Sequence, residues 1–128
     1  MKLIIAGSRS LSVSPETISK YVNELLCEMK KEHLFEQDIS VTEVVSGTAR
    51  GIDLSGEEWA KEQNIPITRF PAKWELFGKS AGYKRNTEMA EYADALLAIY
   101  DGTSKGTKHM INLAEKKDLK VVVKYHIY

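Results

Sequence analysis

A single α/β domain is the fold class that the sequence predicts, with a parallel sheet between two layers of helices. Short apolar runs alternate with segments of helical periodicity along all 128 residues. The apolar runs lack the polar alternation of half-exposed strands, which is typical of parallel strands covered on both faces. Because no repeat, low-complexity tract or linker divides the chain, residues 1–128 are predicted to form one domain.

The first half of the chain is predicted to contain three strands and two helices. Residues 2–6 form a buried strand that Gly7 ends. A helix follows over about 15–32, with Ser14 as its N-cap, Pro15 at its first position and apolar residues at helical spacing. The next elements are a strand over 41–45, a helix over 51–63 and a strand over 65–70.

The second half continues the same alternation after Pro71. Residues 71–86 are predicted to be a long loop that leads into a helix ending near Tyr92. The last elements are a strand over 95–100, a helix over 106–117 and a strand over 121–123. The chain therefore supplies five strands, and we expect strand 1 to lie beside the point where the strand order reverses.

Composition and charge indicate which classes of function are less consistent with the sequence. Lys plus Arg and Asp plus Glu number 18 each, so the net charge gives no reason to expect nucleic acid or a membrane surface. Residues 65–128 carry 11 basic and 7 acidic side chains, so an anion site should draw its charge from that half. A single cysteine, Cys27, no signal pattern and no long apolar run predict a cytoplasmic protein without a membrane partner.

The glycines mark one end of the predicted sheet. Strand-to-helix loops of a parallel sheet emerge at its carboxyl end, where ligands bind at the reversal of strand order. Seven of the eight glycines, all except Gly56, fall in these loops. Glycine allows the backbone to approach a ligand closely, and a helix N-terminus behind it favours anions. We therefore expect a bound phosphate or nucleotide at this end of the sheet.

Side chains in the same loops add hydrogen-bond donors and charge. The candidate donors are the hydroxyls of Ser46, Thr48, Ser104 and Thr107 and the cations of Arg9, Arg50, Arg85 and Lys105. Asp53 could cap a helix, or it could accept a ribose hydroxyl or act as a general base. The aromatic residues Trp74, Phe77 and Tyr83 could stack on a base or cover the sheet end, whereas Trp59 is predicted to be a core residue.

Several common site motifs are absent from the sequence. Neither the dinucleotide-binding G-x-G-x-x-G nor the phosphate-binding G-x-x-x-x-G-K-[ST] occurs. The three histidines, His33, His109 and His126, are scattered and lack the spacing of metal ligands. We expect neither a metal site nor a required cofactor.

Four segments resemble the YspA/YpsA-related branch of the SLOG superfamily. They are GSR (7–9), SGTARGID (46–53), AKWELFGKSAGYKRNTEM (72–89) and YDGTSKGTKHMI (100–111), in the family's order and over nearly the whole chain. The resemblance implies a Rossmann-like three-layer sandwich, a SLOG-like domain over 1–128, a homo-oligomer and a nucleotide-type ligand over the glycine loops. The ligand positions that it implies are Gly7, Ser8, Arg9, Ser46, Gly47, Arg50, Gly51, Asp53, Arg85, Asn86, Asp101, Gly102, Gly106 and Thr107.

The resemblance also bears on catalysis. Phosphoribohydrolases of the superfamily carry a P-G-G-x-G-T-x-x-E motif with a catalytic glutamate, and Met110 stands at the glutamate position here. Methionine cannot activate water, so Asp53 and Asp101 are the remaining catalytic candidates. We expect the chain to bind or sense a nucleotide or an ADP-ribose-like ligand. The alternatives are a nucleoside-phosphate N-glycosidase and, less consistent with zero net charge, a DNA-processing accessory module.

Overall fold

A computed structural model describes residues 1–32 and 39–126 and confirms the α/β fold with a five-strand parallel sheet. Within these ranges the strands are β1 (Lys2–Gly7), β2 (Glu43–Ser46), β3 (Ile67–Arg69), β4 (Ala95–Tyr100) and β5 (Lys120–Tyr125). The helices are α1 (Pro15–Glu32), α2 (Ile52–Glu62), α3 (Trp74–Phe77), α4 (Ala81–Tyr92) and α5 (Lys105–Lys116), with a 3-10 turn at Gly78–Ser80. His33 lies outside the described residues.

The sheet has the order β3-β2-β1-β4-β5, and every neighbouring pair is parallel. The chain moves outward from β1 through β2 to β3 and then crosses to the other side of β1 to form β4. The loops after β1 and β4 therefore leave adjacent strands in opposite directions, which opens a crevice at the carboxyl end of the sheet. The predicted place of strand 1 beside this reversal is confirmed.

The helices cover both faces of the sheet. Leu3 and Ile5 of β1 pack in a core cluster with residues of α1 and α2, whereas Ile4 and Ala6 pack in a second cluster with residues of α4 and α5. Because β1 is buried on both faces, its sequence is a continuous apolar run without alternation. The prediction that Trp59 belongs to the core is also confirmed, since its side chain is 5% exposed within the first cluster.

One part of the chain differs from the prediction. The segment 71–86, predicted to be a loop, contains α3, the 3-10 turn and the first turns of α4. Helix α3 is a single turn of four residues and none of them is buried, so it is too short to show a helical periodicity in the sequence. Gly78, with φ of 54°, separates α3 from α4. Arg85 and Asn86 consequently project from a helix; most other elements match the prediction to within two residues at each end.

Helix α2 packs with its backbone directly against β1. A Cβ atom on Gly56 would lie 2.7 Å from Cγ2 and 2.8 Å from Cβ of Ile5. Contacts this short require the helix or the strand to move, because neither atom is at the flexible end of a side chain. The absent side chain at position 56 therefore determines how closely α2 packs on β1.

We expect Gly56→Ala to lower the free energy of unfolding by about 1–3 kcal/mol through this overpacking. Gly106→Ala is the matched control, because it is also a helical glycine and a Cβ there would meet no atom within 4 Å. The control should be stabilised by up to about 1 kcal/mol through helix propensity. Urea unfolding measures both changes, and equal stability of the two variants would contradict the close packing of α2 on β1.

Candidate functional site

A small pocket lies at the carboxyl end of β1, where the loops after β1 and β2 meet α4 and the start of α5. Its volume is about 70 Å³. Eight of the residues predicted to bind a ligand line it: Gly7, Arg9, Asp53, Arg85, Asn86, Ser104, Gly106 and Thr107. Ala6, Ala49, Met89 and Met110 complete the lining. Segments that are far apart in the sequence thus converge on one concave surface.

The first turn of α5 forms one wall of the pocket. Ser104 is the N-cap, and its Oγ accepts hydrogen bonds from the backbone N–H and the hydroxyl of Thr107, at 3.4 and 3.0 Å. The Asp101 carboxylate fixes the preceding loop by accepting the N–H groups of Thr103 and Ser104 at 2.8 and 2.9 Å. These bonds lower the pKa of Asp101 to about 2. Asp101 therefore acts in this structure as a loop-fixing carboxylate and does not line the pocket.

Arg85 connects α4 to the loop after β2. Its Nη1 donates to the carbonyl oxygen of Gly47, and its Nε donates to Oδ1 of Asn86 at 2.9 Å. Asn86, which is buried, donates from Nδ2 to the carbonyl oxygen of Gly106 at 3.3 Å and lies 3.2 Å from Nδ1 of His109. These contacts hold Arg85 against the loop after β2 and Asn86 against the start of α5. Burial lowers the pKa of Arg85, as does the positive charge of Arg9, whereas the charge of Asp53 raises it.

Asp53 is a buried carboxyl on the wall opposite α5. It is 5% exposed, and its Oδ2 accepts the N–H of Ala49 at 3.2 Å. Burial raises its pKa to about 6, although hydrogen bonds from Ala49 and Gly7 and the charge of Arg85 act in the opposite direction. A carboxyl with this pKa changes protonation state near neutral pH, which is the range required of a general acid or base.

Gly47 allows Asp53 and Arg85 to approach the same stretch of backbone. A Cβ atom on Gly47 would lie 2.8 Å from Oδ2 of Asp53 and 2.9 Å from Nη1 of Arg85. Any larger residue would push the carboxylate or the guanidinium away from the loop. This glycine therefore has a role in assembling the site, whether or not its own backbone touches a ligand.

Two backbone N–H groups of the loop before α2 donate to nearby side chains. The N–H of Thr48 donates to Oγ of Ser46 at 3.1 Å, and that of Ala49 donates to Asp53. Gly51 has φ of 83°, and a Cβ there would lie 2.6 Å from the carbonyl oxygen of Ser8. This loop is thus held by Ser46 and Asp53 and packs on the loop after β1.

The remaining predicted residues lie around the pocket without lining it. Ser8 is buried, and its Oγ accepts the N–H of Asp101 at 3.0 Å, which ties the loops after β1 and β4 together. Arg50 and Gly102 are exposed. These three residues, together with Ser46, Gly47, Thr48, Gly51 and Asp101, form the surroundings of the pocket.

Sequence reasoning missed a buried acid near the site. Glu57, which is 6% exposed, accepts the hydroxyl of Ser46 at 2.7 Å and the Nε and Nη2 of Arg69 at 2.9 Å each. It stands four residues after Asp53, so both acids share one face of α2. That spacing is the signal that could have identified Glu57. Its negative charge contributes to the raised pKa of Asp53.

Among residues 1–32 and 39–126, no three or more His, Cys, Asp or Glu side chains cluster in a way that could hold a metal ion. Of the helices described here, none has the length and apolar character needed to cross a membrane.

The chain is similar in sequence to a bacteriophage protein. It is 39% identical over 85 residues to the Gene 61 protein of Mycobacterium phage D29, and the match covers 62% of this chain and 68% of the phage protein. No protein-family model matches the chain. No solved structure matches it either.

The raised pKa of Asp53 predicts a specific dependence of stability on pH. The unfolded carboxyl ionises near its ordinary pKa of 3.8, whereas the folded one retains its proton until about pH 6. Folding is therefore favoured by this group at low pH, and that stabilisation, on the order of 3 kcal/mol, is lost as pH rises through the window. Asp53→Asn removes the effect.

Urea unfolding of both proteins below, within and above this window tests the prediction. The free energy of unfolding of Asp53→Asn should rise relative to the unaltered protein as pH increases from 3.8 to about 6, and then the difference should become constant. A difference that does not change with pH would mean that the folded carboxyl ionises at its ordinary pKa.

Proposed function

The chain belongs to the family of the Gene 61 protein of Mycobacterium phage D29, whose name states no activity, and we propose that it binds a nucleotide or an ADP-ribose-like ligand in its pocket. The observation that carries the proposal is the convergence of Arg9, Arg85 and the first turn of α5 on one concave surface. All three favour an anion, and a phosphate is the common anionic group of such ligands.

The electrostatics of the pocket support a bound anion. The N-terminus of α5 carries the equivalent of roughly half a positive charge, and the N–H groups of its first turn have no carbonyl partner within the helix. The positive charge of Arg9 lowers the pKa of Arg85, so the two cations repel each other. A phosphate between them would relieve this repulsion and accept hydrogen bonds from both.

The resemblance to the SLOG superfamily supports the same ligand class. The four segments of that resemblance, 7–9, 46–53, 72–89 and 100–111, each contribute residues to the pocket lining. The pocket also lies at the reversal of strand order, which is where open parallel sheets bind their ligands. The cationic lining is the physical reason to expect a phosphate there.

The size of the pocket limits what can enter it. Pockets that enclose a whole small-molecule ligand typically have volumes of about 300–1,000 Å³. A volume of about 70 Å³ accommodates a small group such as a phosphate, but not a complete nucleotide. The phosphate is therefore the part of the ligand that we assign to the pocket, and the remainder lies at its mouth.

Removal of either pocket arginine should weaken nucleotide binding. A charge-assisted hydrogen bond contributes about 1.5–3 kcal/mol, so Arg85→Ala should raise the Kd roughly 10- to 150-fold. Arg9→Ala should have a smaller effect in the same direction, because Arg9 is exposed and its charge is screened by water. Isothermal titration calorimetry with AMP, GMP, CMP, UMP and ADP-ribose measures these changes.

Lys117→Ala is the control for this experiment. Lys117 is a basic residue at the opposite end of the sheet, paired with Glu91 at 3.8 Å. Its removal should leave the Kd unchanged. Arg85 also bonds to Gly47 and Asn86, so its removal can disturb the structure of the site, and the unfolding of each variant is therefore measured in parallel. Arg9 is exposed, so Arg9→Ala tests the charge of the site without this structural change. Unchanged affinity in both arginine variants would contradict the proposed site.

A specific observation favours hydrolysis of a nucleoside phosphate as a second candidate function. Asp53 is a buried carboxyl in the pocket with a pKa of about 6, and it could accept a proton from water as that water attacks the anomeric carbon. The bond between this carbon and the base would break, the hydroxyl would stay on the ribose, and the base would take up a proton from solvent while Asp53 releases its own to solvent. Asp101 suits this role less well, because its carboxylate is engaged by Thr103 and Ser104.

Product analysis distinguishes binding from hydrolysis. Incubation of the protein with nucleoside monophosphates, followed by chromatography for free base, should show no release if the function is binding alone. Steady release that Asp53→Asn abolishes, with nucleotide affinity retained, would instead establish the hydrolase. The asparagine variant keeps the shape of the side chain and an oxygen that can accept the N–H of Ala49, so it isolates the effect of the carboxylate.

A further inference from the structure

Three large apolar side chains of α3 and one of α4 are exposed. Trp74, Leu76 and Phe77 of α3 are 50%, 72% and 43% exposed, and Tyr83 of α4 is 46% exposed. An exposed apolar side chain does not contribute to the hydrophobic core, and a patch of such side chains is typical of a surface that binds a ligand or another protein. The four side chains differ in what already contacts them.

Trp74 lies beside the arginine of the pocket. A Cβ atom on Gly82 would lie 3.5 Å from Cη2 of Trp74 and 3.7 Å from Nη2 of Arg85. The tip of the indole and one edge of the guanidinium therefore both stand next to this glycine, on the first turn of α4. Because position 82 has no side chain, nothing from that residue separates the two groups.

The other two aromatic rings are already engaged within the chain. The ring of Tyr83 packs edge to face on His109, with ring centroids 4.5 Å apart. The ammonium of Lys84 lies 4.7 Å from the ring centroid of Phe77. Trp74 also offers the largest flat surface of the three, and base stacking depends on such a surface.

We propose that the indole of Trp74 is the surface on which the base of the bound nucleotide stacks, while its phosphate occupies the pocket beside Arg85. This inference rests on the proposed function. It follows from the small volume of the pocket, which leaves the base and ribose outside it, and from the position of Trp74 next to the arginine that lines it. The ligand class is thereby narrowed to phosphates that carry an aromatic base.

The local structure holds Trp74 in place without help from the core. The carbonyl of Lys73 accepts the N–H groups of Leu76 and Phe77 at 3.0 Å each, and that of Trp74 accepts the N–H of Gly78. Substitution of Trp74 thus removes a half-exposed ring from a hydrogen-bonded turn. The fold should survive this change, which circular dichroism and thermal unfolding verify.

Two matched ligands test the inference. AMP and ribose 5-phosphate share the phosphate and the ribose, and they differ in the base. In the unaltered protein AMP should bind more tightly than ribose 5-phosphate. Trp74→Ala should weaken AMP binding roughly 5- to 150-fold, the effect of losing one base–aromatic stack, and should leave the Kd for ribose 5-phosphate unchanged.

Two further variants and a spectroscopic signal complete the experiment. Trp74→Phe should retain most of the AMP affinity, and Leu76→Ala, which removes an exposed apolar side chain from the same helix, should change neither Kd. AMP should quench the tryptophan fluorescence of the unaltered protein. It should not quench that of Trp74→Phe, in which the buried Trp59 is the remaining tryptophan.

The possible outcomes separate this inference from the proposed function. If Trp74→Ala binds AMP as tightly as the unaltered protein, or loses both ligands equally, the stacking role is wrong although the phosphate site remains. If Trp74→Ala instead changes the oligomeric state on gel filtration without changing the Kd for AMP, the exposed ring is an interface between copies of this chain. If the unaltered protein binds neither ligand, nor GMP, CMP, UMP or ADP-ribose, the proposed function fails, and the inference fails with it.

Discussion

The reversal of strand order beside β1 determines where the side chains of the site lie. β2 and β4 flank β1 on opposite sides, so α2 and α5 begin on the two sides of one strand end. The connection from β3 to β4 carries α4 across the sheet, and α4 then supplies Arg85 and Asn86 between those two helix starts. Without this reversal the glycine-rich loops would be spread along the edge of the sheet.

The two helix N-termini at this edge differ in the groups that surround them. The loop before α2 directs the N–H groups of Thr48 and Ala49 to Ser46 and Asp53, so that end already has a carboxylate of its own. The first turn of α5 lines the pocket with Ser104 and Gly106, while Asp101 fixes the loop before it. The pocket therefore combines the buried Asp53, with Arg85 beside it, and the N-terminus of α5.

Much of the fold follows from short-range patterns. The apolar runs, the cap at Ser14, whose Oγ accepts the N–H of Thr17 at 3.2 Å, and the alternation of elements require only neighbouring residues. Helix α3 was missed because a single turn of four residues is too short to show a helical periodicity. Glu57 was missed because it occupies a helix position where an acid is usually exposed, and its burial depends on Ser46 and Arg69 from two neighbouring strands.

By itself the sequence determined the parallel sheet, its helical layers and the end of the sheet at which the glycines gather. The tertiary structure alone decided what each polar residue does there. Arg85 donates a hydrogen bond to the carbonyl oxygen of Gly47, 38 positions away in the sequence. Ser8 accepts one from the N–H of Asp101, 93 positions away. Burial raises the pKa of Asp53 to about 6, while two backbone N–H groups lower that of Asp101 to about 2. The two aspartates have the same intrinsic chemistry, and their difference arises from desolvation and hydrogen bonds that exist only once distant segments pack together.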